Sequence, residues 1–222
     1  MENRAPLELP PSVPLPPPPD LGARLAAIGV TVDAVVLERL GVYLGHLLAM
    51  NEQMNLTAIR DPADAWERHI LDALTLVPCV PTGAAVVDVG SGGGIPGLPL
   101  AIARPDLRIT LVESIQKKAG FLWSVTEAMK LENVRVSAER AEQLEERGIF
   151  DVVTARAVAK LATLVPLVVP LVRVGGIALL IKGQKAEEEL AEAAKVIKRA
   201  GAEHEKTIST PTGRIVVLNR TR

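Results

Sequence analysis

A glycine-rich segment between an apolar run and a helix-like stretch carries the strongest chemical signal in the chain. Val87-Asp88-Val89 is followed by Gly90-Ser-Gly-Gly-Gly-Ile-Pro-Gly97, which places five glycines within eight residues. Glycine lets the backbone turn sharply and approach a ligand closely, and the start of the following helix offers free N–H groups. The segment therefore predicts a ligand-binding loop at the first β–α turn rather than a purely structural turn.

Two cofactor classes fit this loop. Gly92–Gly97 matches the dinucleotide fingerprint, and the acid Glu113 ends the next apolar run. However, Asp88 lies two residues before the first glycine, and Pro96 would stiffen the helix start that normally binds a pyrophosphate. A strand-end acid, a Gly-x-Gly turn and a second acid resemble the class I methyltransferases that use S-adenosylmethionine. An NAD(P)-linked oxidoreductase stays as the alternative, although no hydride-transfer set of side chains is evident.

Two basic residues follow later apolar runs and are further candidates. Arg156 leaves the fourth predicted strand at the carboxyl edge of the sheet, where open α/β folds bind ligands. Its guanidinium could bond a carboxylate or a phosphate, or stack on a base, and a surface salt bridge is the alternative. Lys182 ends the fifth predicted strand at the same edge, where a phosphate contact and a solvated turn are both open.

The elements that must position these residues alternate between strand and helix. Apolar runs at 86–89, 109–112, 134–136, 151–153 and 177–181 are separated by helix-like stretches near 97–104, 115–130, 139–146, 158–171 and 185–200. This alternation predicts βαβ units and a doubly wound α/β fold. The runs at 203–209 and 214–219 flank Pro211-Thr-Gly213 and predict a hairpin, with one antiparallel strand at or near a sheet edge.

The first 80 residues have a different pattern. Residues 1–20 hold eight of the 17 prolines and predict a Pro-rich disordered tail. Residues 21–80 have apolar side chains at spacings of three and four and predict a helical N-terminal cap, with Asp33 as a helix N-cap and Pro62 in a first helical turn. Residues 81–222 are predicted to form the cofactor-binding domain.

Composition excludes several classes of protein. The chain of 222 residues has 25 basic and 26 acidic residues, which excludes a polycation that binds nucleic acid generally. One cysteine excludes an internal disulfide, and three scattered histidines predict that there is no metal site. We expect no signal peptide and no membrane span, because prolines and glycines interrupt the apolar run from 161 to 181. These features predict a cytoplasmic protein, with a monomer as the default.

Four segments are similar to the ribosomal RNA small subunit methyltransferase G family, also called glucose-inhibited division protein B. They are Asn55-Leu-Thr-Ala-Ile-Arg-Asp61, Arg68-His-Ile-Leu-Asp72, Asp88–Gly97 and Thr154-Ala-Arg-Ala157. The first two lie outside the generic methyltransferase core, which makes the resemblance specific. It runs from about Leu37 to the C-terminus and leaves out the Pro-rich start. Ile215 stands where the family pattern would have a histidine that could contact RNA.

The resemblance implies both a fold and an activity. The implied fold is Rossmann-like, with a mostly parallel seven-stranded sheet, helices on both faces and a helical cap. The implied reaction moves a methyl group from S-adenosylmethionine to N7 of one guanine in 16S ribosomal RNA, on naked rRNA, an assembly intermediate or the small subunit. Guanine N7 carries a lone pair and no proton, so positioning and electrostatics suffice without a general base. A small-molecule methyltransferase or a non-enzymatic ribosome-associated factor that retains the fold would also be compatible with these motifs.

Some site residues are carried over by the same resemblance, and others are predicted from their place in the sheet and the cap. Glu113 would accept hydrogen bonds from the ribose hydroxyls, and Arg156 is the predicted catalytic residue. The predicted cofactor contacts are Asp88, Gly90, Gly92, Ile95, Glu113, Arg156 and the backbone of Ala141 and Glu142. The predicted RNA-facing residues are Asn55, Arg60, Arg68, His69 and Lys182. For His69, a capping or core-satisfying role is an equal alternative.

Overall fold

A computed structural model of the chain describes residues 7–222, and a seven-stranded sheet lies at its centre. The strands are β1 (Ala85–Val89), β2 (Arg108–Val112), β3 (Val134–Ser137), β4 (Phe150–Arg156), β5 (Val172–Lys182), β6 (Ala202–Ser209) and β7 (Arg214–Arg220). Their order is β3-β2-β1-β4-β5-β7-β6. β1 to β5 pair in parallel, whereas β7 is antiparallel to both β5 and β6. The predicted mostly parallel sheet with a terminal hairpin is confirmed.

Eight α-helices accompany the sheet within residues 7–222. They are α1 (Leu21–Ala27), α2 (Ala34–Asn51), α3 (Pro62–Ala65), α4 (Asp72–Leu74), α5 (Gly97–Ala103), α6 (Gln116–Ala128), α7 (Leu161–Val168) and α8 (Ala186–Arg199). Alternate side chains of β1 enter different cores: Val86 packs in the cluster that includes α2, α5 and α6, and Val87 packs with α7 and α8. Because both faces of the parallel strands are buried, helices must cover both, as predicted.

The N-terminal cap consists of α1 to α4, with a π-helical turn at Trp66–Leu71 between α3 and α4. Asp33 caps α2 by accepting a hydrogen bond from the Val36 amide, and Pro62 lies in the first turn of α3. Both local predictions are confirmed. Leu44 of α2 and Leu111 of β2 belong to one apolar cluster, so the cap and the sheet share a continuous core.

Two predicted elements are wrong. The stretch near 139–146 is a single 3-10 turn at Ala141–Gln143 rather than a helix, because only Ala141 and Leu144 bury apolar side chains there and one turn places both. β5 begins at Val172, well before the predicted 177. Gly175 adopts a left-handed φ of 76° inside this strand, beside a register shift against β4, so it forms an irregularity within β5.

The prediction of a disordered tail is wrong for residues 7–20, which we call the N-terminal segment. Leu15 donates its amide proton to the Gly41 carbonyl at 3.0 Å, and Leu7 exchanges two hydrogen bonds of 2.7 Å with the Ser124 hydroxyl. Gly41 and Gly45, one turn apart in α2, leave a trough in which any Cβ would collide with the segment's carbonyl oxygens. The remainder of the predicted tail, residues 1–6, lies outside the described residues.

Membrane-spanning helices and clusters of metal ligands are both absent from residues 7–222. No helix in this range combines the length and the apolar character needed to cross a bilayer. The run from 161 to 181 instead forms α7 and most of β5. The same range contains no cluster of three or more metal-ligating side chains.

Candidate cofactor and substrate site

Asp88, in β1, lies completely buried beneath the glycine loop, the name we use for Gly90–Gly97. One carboxylate oxygen accepts a hydrogen bond from the Thr154 hydroxyl at 2.9 Å, and the other accepts from the Gly97 amide at 3.3 Å. Burial raises the pKa of Asp88 to about 6, against the opposing effect of these hydrogen bonds. Asp88 therefore ties β1, β4 and the start of α5 together. It exposes no oxygen to a ligand, contrary to the predicted direct contact, because its partners enclose it.

Glu113 follows β2 and faces the glycine loop. Its Oε2 accepts a hydrogen bond from the Gly92 amide at 2.9 Å, and its Oε1 accepts from the Ile115 amide at 2.8 Å. A carboxylate oxygen has two lone pairs, so each retains capacity for another donor. Glu113 can therefore shape the loop and still accept bonds from a diol.

A cavity of about 150 Å³ lies at the carboxyl ends of β1 and β2. Gly90, Ser114, Ala141, Glu142 and Val158 are among its lining residues. Gly90 has a left-handed φ of 71°, and a Cβ there would lie 2.7 Å from Cγ2 of Val158, so the position requires glycine. The structure thus brings the predicted cofactor residues Gly90, Ala141 and Glu142 to one cavity. Three larger cavities, of about 470, 540 and 270 Å³, contain no predicted site residue.

α2 of the cap supports the glycine loop through a tyrosine that was not among the predicted site residues. The buried Tyr43 hydroxyl donates to the Gly93 carbonyl at 2.8 Å. Leu47, one turn later, packs so closely that a Cβ on Gly93 would lie 2.7 Å from its Cδ1. Burial holds the pKa of Tyr43 far above its ordinary value, so the hydroxyl stays a donor. The available signal was that a tyrosine on a buried face needs a polar partner.

Arg156, the last residue of β4, is held by the turn between α3 and α4. Its Nη1 donates to the Arg68 carbonyl and lies 3.3 Å from the Asp72 carboxylate, and its Nη2 lies 3.1 Å from Nδ1 of His69. Asp72 also accepts a hydrogen bond from the Thr212 hydroxyl in the β6–β7 turn. Asp72 belongs to one of the motifs that indicated the family but had no predicted role, and no pattern in the sequence indicated Thr212.

His69 is 1% exposed, and both of its ring nitrogens have protein partners. Because a guanidinium only donates, Nδ1 must accept from Arg156, which leaves the Nε2 proton to bond the Thr57 hydroxyl at 2.9 Å. Burial, reinforced by the charge of Arg156, lowers the pKa of His69 to about 3, so the ring is neutral at physiological pH. The prediction that the His69 side chain contacts RNA is therefore wrong. Its ring instead forms hydrogen bonds with buried polar groups of the protein, which was the alternative role.

The remaining predicted RNA residues fall into two groups. Asn55, Arg60 and Arg68 are exposed, and Arg60 makes only a solvent-exposed ion pair of 3.5 Å with Glu52. In contrast, Nζ of Lys182 donates to the Ala159 carbonyl at 2.7 Å and pairs with Glu189 at 2.8 Å. Lys182 is therefore not a free ammonium group at the surface, contrary to the prediction, because the segment after β4 brings a carbonyl within its reach.

Two isoleucines lie in the core. Ile95 packs in the cluster that contains α2 and α5 and is not among the residues that line the cavity, so its cofactor contact stays a prediction. An apolar side chain within the loop is more stable in this core than at a polar site. Ile215 of β7 is completely buried, so the position at which a histidine was expected faces the interior.

The family model described as rRNA small subunit methyltransferase G matches residues 36–216. The chain belongs to this family. The Ribosomal RNA small subunit methyltransferase G of Sorangium cellulosum (strain So ce56) is 59% identical over 225 residues, covering 99% of this chain and 94% of that protein. The protein of the same name from Methylobacillus flagellatus is 43% identical over 163 residues, covering 73% of this chain and 79% of that protein. Family membership decides against the NAD(P)-linked alternative.

Solved structures support the fold. A SAM dependent methyltransferase from Aquifex aeolicus aligns with a TM-score of 0.57 at 14% identity, over 77% of this chain and 97% of that chain. The M. jannaschii TYW2 in complex with AdoMet aligns with a TM-score of 0.51 at 18% identity, over 62% of this chain and 69% of that chain. At such identities the likeness concerns the fold alone, and it confirms the predicted Rossmann-like class I methyltransferase fold.

Proposed function

We propose that this chain methylates N7 of one guanine in 16S ribosomal RNA, with S-adenosylmethionine as the methyl donor. The observation that carries the proposal is the family match over residues 36–216. The substrate would be naked rRNA, an assembly intermediate or the small ribosomal subunit. The protein would act in the cytoplasm as a monomer.

The residues around the cavity fit S-adenosylmethionine, which supplies a methyl group on a positively charged sulfur. Glu113 has free lone pairs for the ribose hydroxyls while it holds Gly92. Gly90 brings bare backbone to the cavity, and Ala141 and Glu142 line it on the side where we place the adenine. Asp88 acts from beneath by fixing the loop rather than by touching the cofactor.

The methyl transfer requires no general base from the protein, because guanine N7 needs no deprotonation. His69 is neutral with both nitrogens bonded, and Asp88 is enclosed, so neither is placed as a general base. Arg156 stays our proposed catalytic residue. Three of its five N–H donors bond to the cap within the part of the chain that the structure describes, which leaves two for a carboxylate, a phosphate or the base. Its role would be to orient the reactants by charge and hydrogen bonds.

Exposed polar residues beside this edge are the proposed RNA contacts. Arg68 binds Arg156 through its carbonyl, and the segment that contains Asn55 and Arg60 is linked to the same site by the Thr57–His69 hydrogen bond. With a formal net charge of -1 for the whole chain, we expect weak and salt-sensitive binding to bulk RNA, with selectivity from the shape of the target.

Methylation in vitro with labelled S-adenosylmethionine tests the proposal. The substrates are naked 16S rRNA, assembly intermediates and small subunits from cells that lack the modification. We expect label in 7-methylguanosine at one position, found by nucleoside mass spectrometry, and little label with Glu113→Ala. Cofactor binding without label in any of the three substrates would favour the non-enzymatic factor. A labelled small molecule with unlabelled RNA would favour a small-molecule methyltransferase.

A further inference from the structure

The segment between β4 and α7, Ala157–Lys160, is fastened by two side chains from β5 and α8. Nζ of Lys182 donates to the Ala159 carbonyl at 2.7 Å, and Oε2 of Glu189 accepts from the Leu161 amide at 2.9 Å. Lys182 and Glu189 also pair with each other at 2.8 Å, with side chains only 10% and 19% exposed. We call this arrangement the Lys182–Glu189 clamp. Its partial burial protects it from screening by salt.

The fastened segment forms part of the cofactor cavity. Val158 lines that cavity, and its Cγ2 lies where a side chain on Gly90 would have to be. The residue before it, Ala157, has a left-handed φ of 56°, a conformation that costs energy for a residue with a side chain. A segment with this local cost needs contacts from elsewhere to keep its shape, and the clamp provides them.

We propose that Lys182 and Glu189 are positioning residues for the cofactor site, which hold Val158 in place as one wall of the cavity. Lys182 would then act on the protein rather than on an RNA phosphate. The inference rests on the proposed use of S-adenosylmethionine. A wall that is already in place need not be ordered when the ligand binds, so the clamp strengthens binding of the cofactor.

Isothermal titration with S-adenosylmethionine tests the clamp. Glu189→Gln keeps the shape of the side chain but removes its charge, and Glu188→Gln makes the same change on an exposed neighbour in the first turn of α8. We expect the Kd to rise about ten-fold for Glu189→Gln, in line with the loss of a charge-assisted hydrogen bond, and to stay unchanged for Glu188→Gln. Lys182→Met should match Glu189→Gln. The double variant should bind no more weakly than the weaker single variant, because both changes remove one contact.

RNA binding separates this inference from its rival. If Lys182 instead contacts a phosphate, Glu189→Gln releases the ammonium group and tightens RNA binding, and Lys182→Met lowers the slope of log affinity against log salt by about 0.7–0.9. That pattern, or a Kd for the cofactor equal to that of the unaltered chain in both clamp variants, would overturn the inference alone. If the unaltered chain does not bind S-adenosylmethionine, the proposed function fails and the inference fails with it. Thermal unfolding of every variant ensures that each titration is made on folded protein.

Discussion

Removal of the Tyr43 hydroxyl tests whether the cap shapes the glycine loop. In Tyr43→Phe the ring stays packed, and the Gly93 carbonyl, in a buried residue, loses a donor at 2.8 Å. An unpaired buried acceptor costs about 1–3 kcal/mol. For a domain of this size each kcal/mol lowers the unfolding midpoint by about 2–4 °C, so a cost near 2 kcal/mol predicts a fall of about 4–8 °C.

Part of this cost falls on the loop itself and should therefore appear in cofactor binding. If about half is expressed there, near 1 kcal/mol, the Kd for S-adenosylmethionine rises roughly five-fold at about 25 °C, well below unfolding. Ser124→Ala is the matched control, because it also removes a buried hydroxyl but one that bonds Leu7. We expect it to lower the midpoint without changing the Kd. Titration calorimetry and circular dichroism measure both quantities, and equal Kd values in the two variants would refute the reasoning.

Gly41→Ala, Arg156→Lys and Asp88→Asn test further parts of the structure. Gly41→Ala puts a methyl group into the N-terminal segment and should lower the free energy of unfolding by about 1–3 kcal/mol. Gly22→Ala, with no neighbour within 4 Å of its new Cβ, should not lower it, and equal urea curves for the two would contradict the docked segment. Arg156→Lys loses the planar fork that bonds His69 and should reduce kcat at least about ten-fold, which undiminished turnover would disprove. The pKa of Asp88 is about 6 in the folded chain and about 3.9 in the unfolded chain. The shift therefore contributes its full stabilisation below about pH 4, where the carboxyl group is neutral in both states. About 3 kcal/mol of the free energy of unfolding is lost as the pH rises through 6. Asp88→Asn cannot titrate, so its unfolding free energy relative to the unaltered chain should increase by about that amount between about pH 4 and 7, and urea curves that keep a constant offset would count against the raised pKa.

Features specified by nearby residues were predictable from the sequence. The apolar run 86–89 and the glycines that follow it sufficed to predict β1 and the loop, because strand burial and backbone turning are local properties. The same holds for the N-cap at Asp33 and the turn at Pro62. Glu113 ends the apolar run that forms β2, and because β2 pairs in parallel with β1 their carboxyl ends share one edge of the sheet, where Glu113 bonds the Gly92 amide.

Features that depend on distant partners were not predictable. Arg156 contacts Asp72, which lies 84 residues before it in the sequence. Asp72 in turn accepts a hydrogen bond from Thr212, which lies 140 residues after Asp72. No pattern of spacing indicates that His69 bonds both Thr57 and Arg156 and is thereby withdrawn from solvent. The N-terminal segment was misjudged for the same reason. Its prolines do not form a helix or a sheet, but the trough that receives it is made by glycines of α2.

The position of β7 has a consequence for the order in which the molecule is completed. β7 lies between β5 and β6, although it follows both in the chain, and the turn that precedes it carries Thr212 to Asp72. During synthesis, β5 and β6 therefore emerge before the strand that lies between them in the sheet. Neither can pair with that strand, Arg214–Arg220, until it has been made. The anchoring of Arg156 is finished in the same event. A nascent polypeptide that lacks β7 has an incomplete sheet and an incomplete site, so the sheet and the site are completed together.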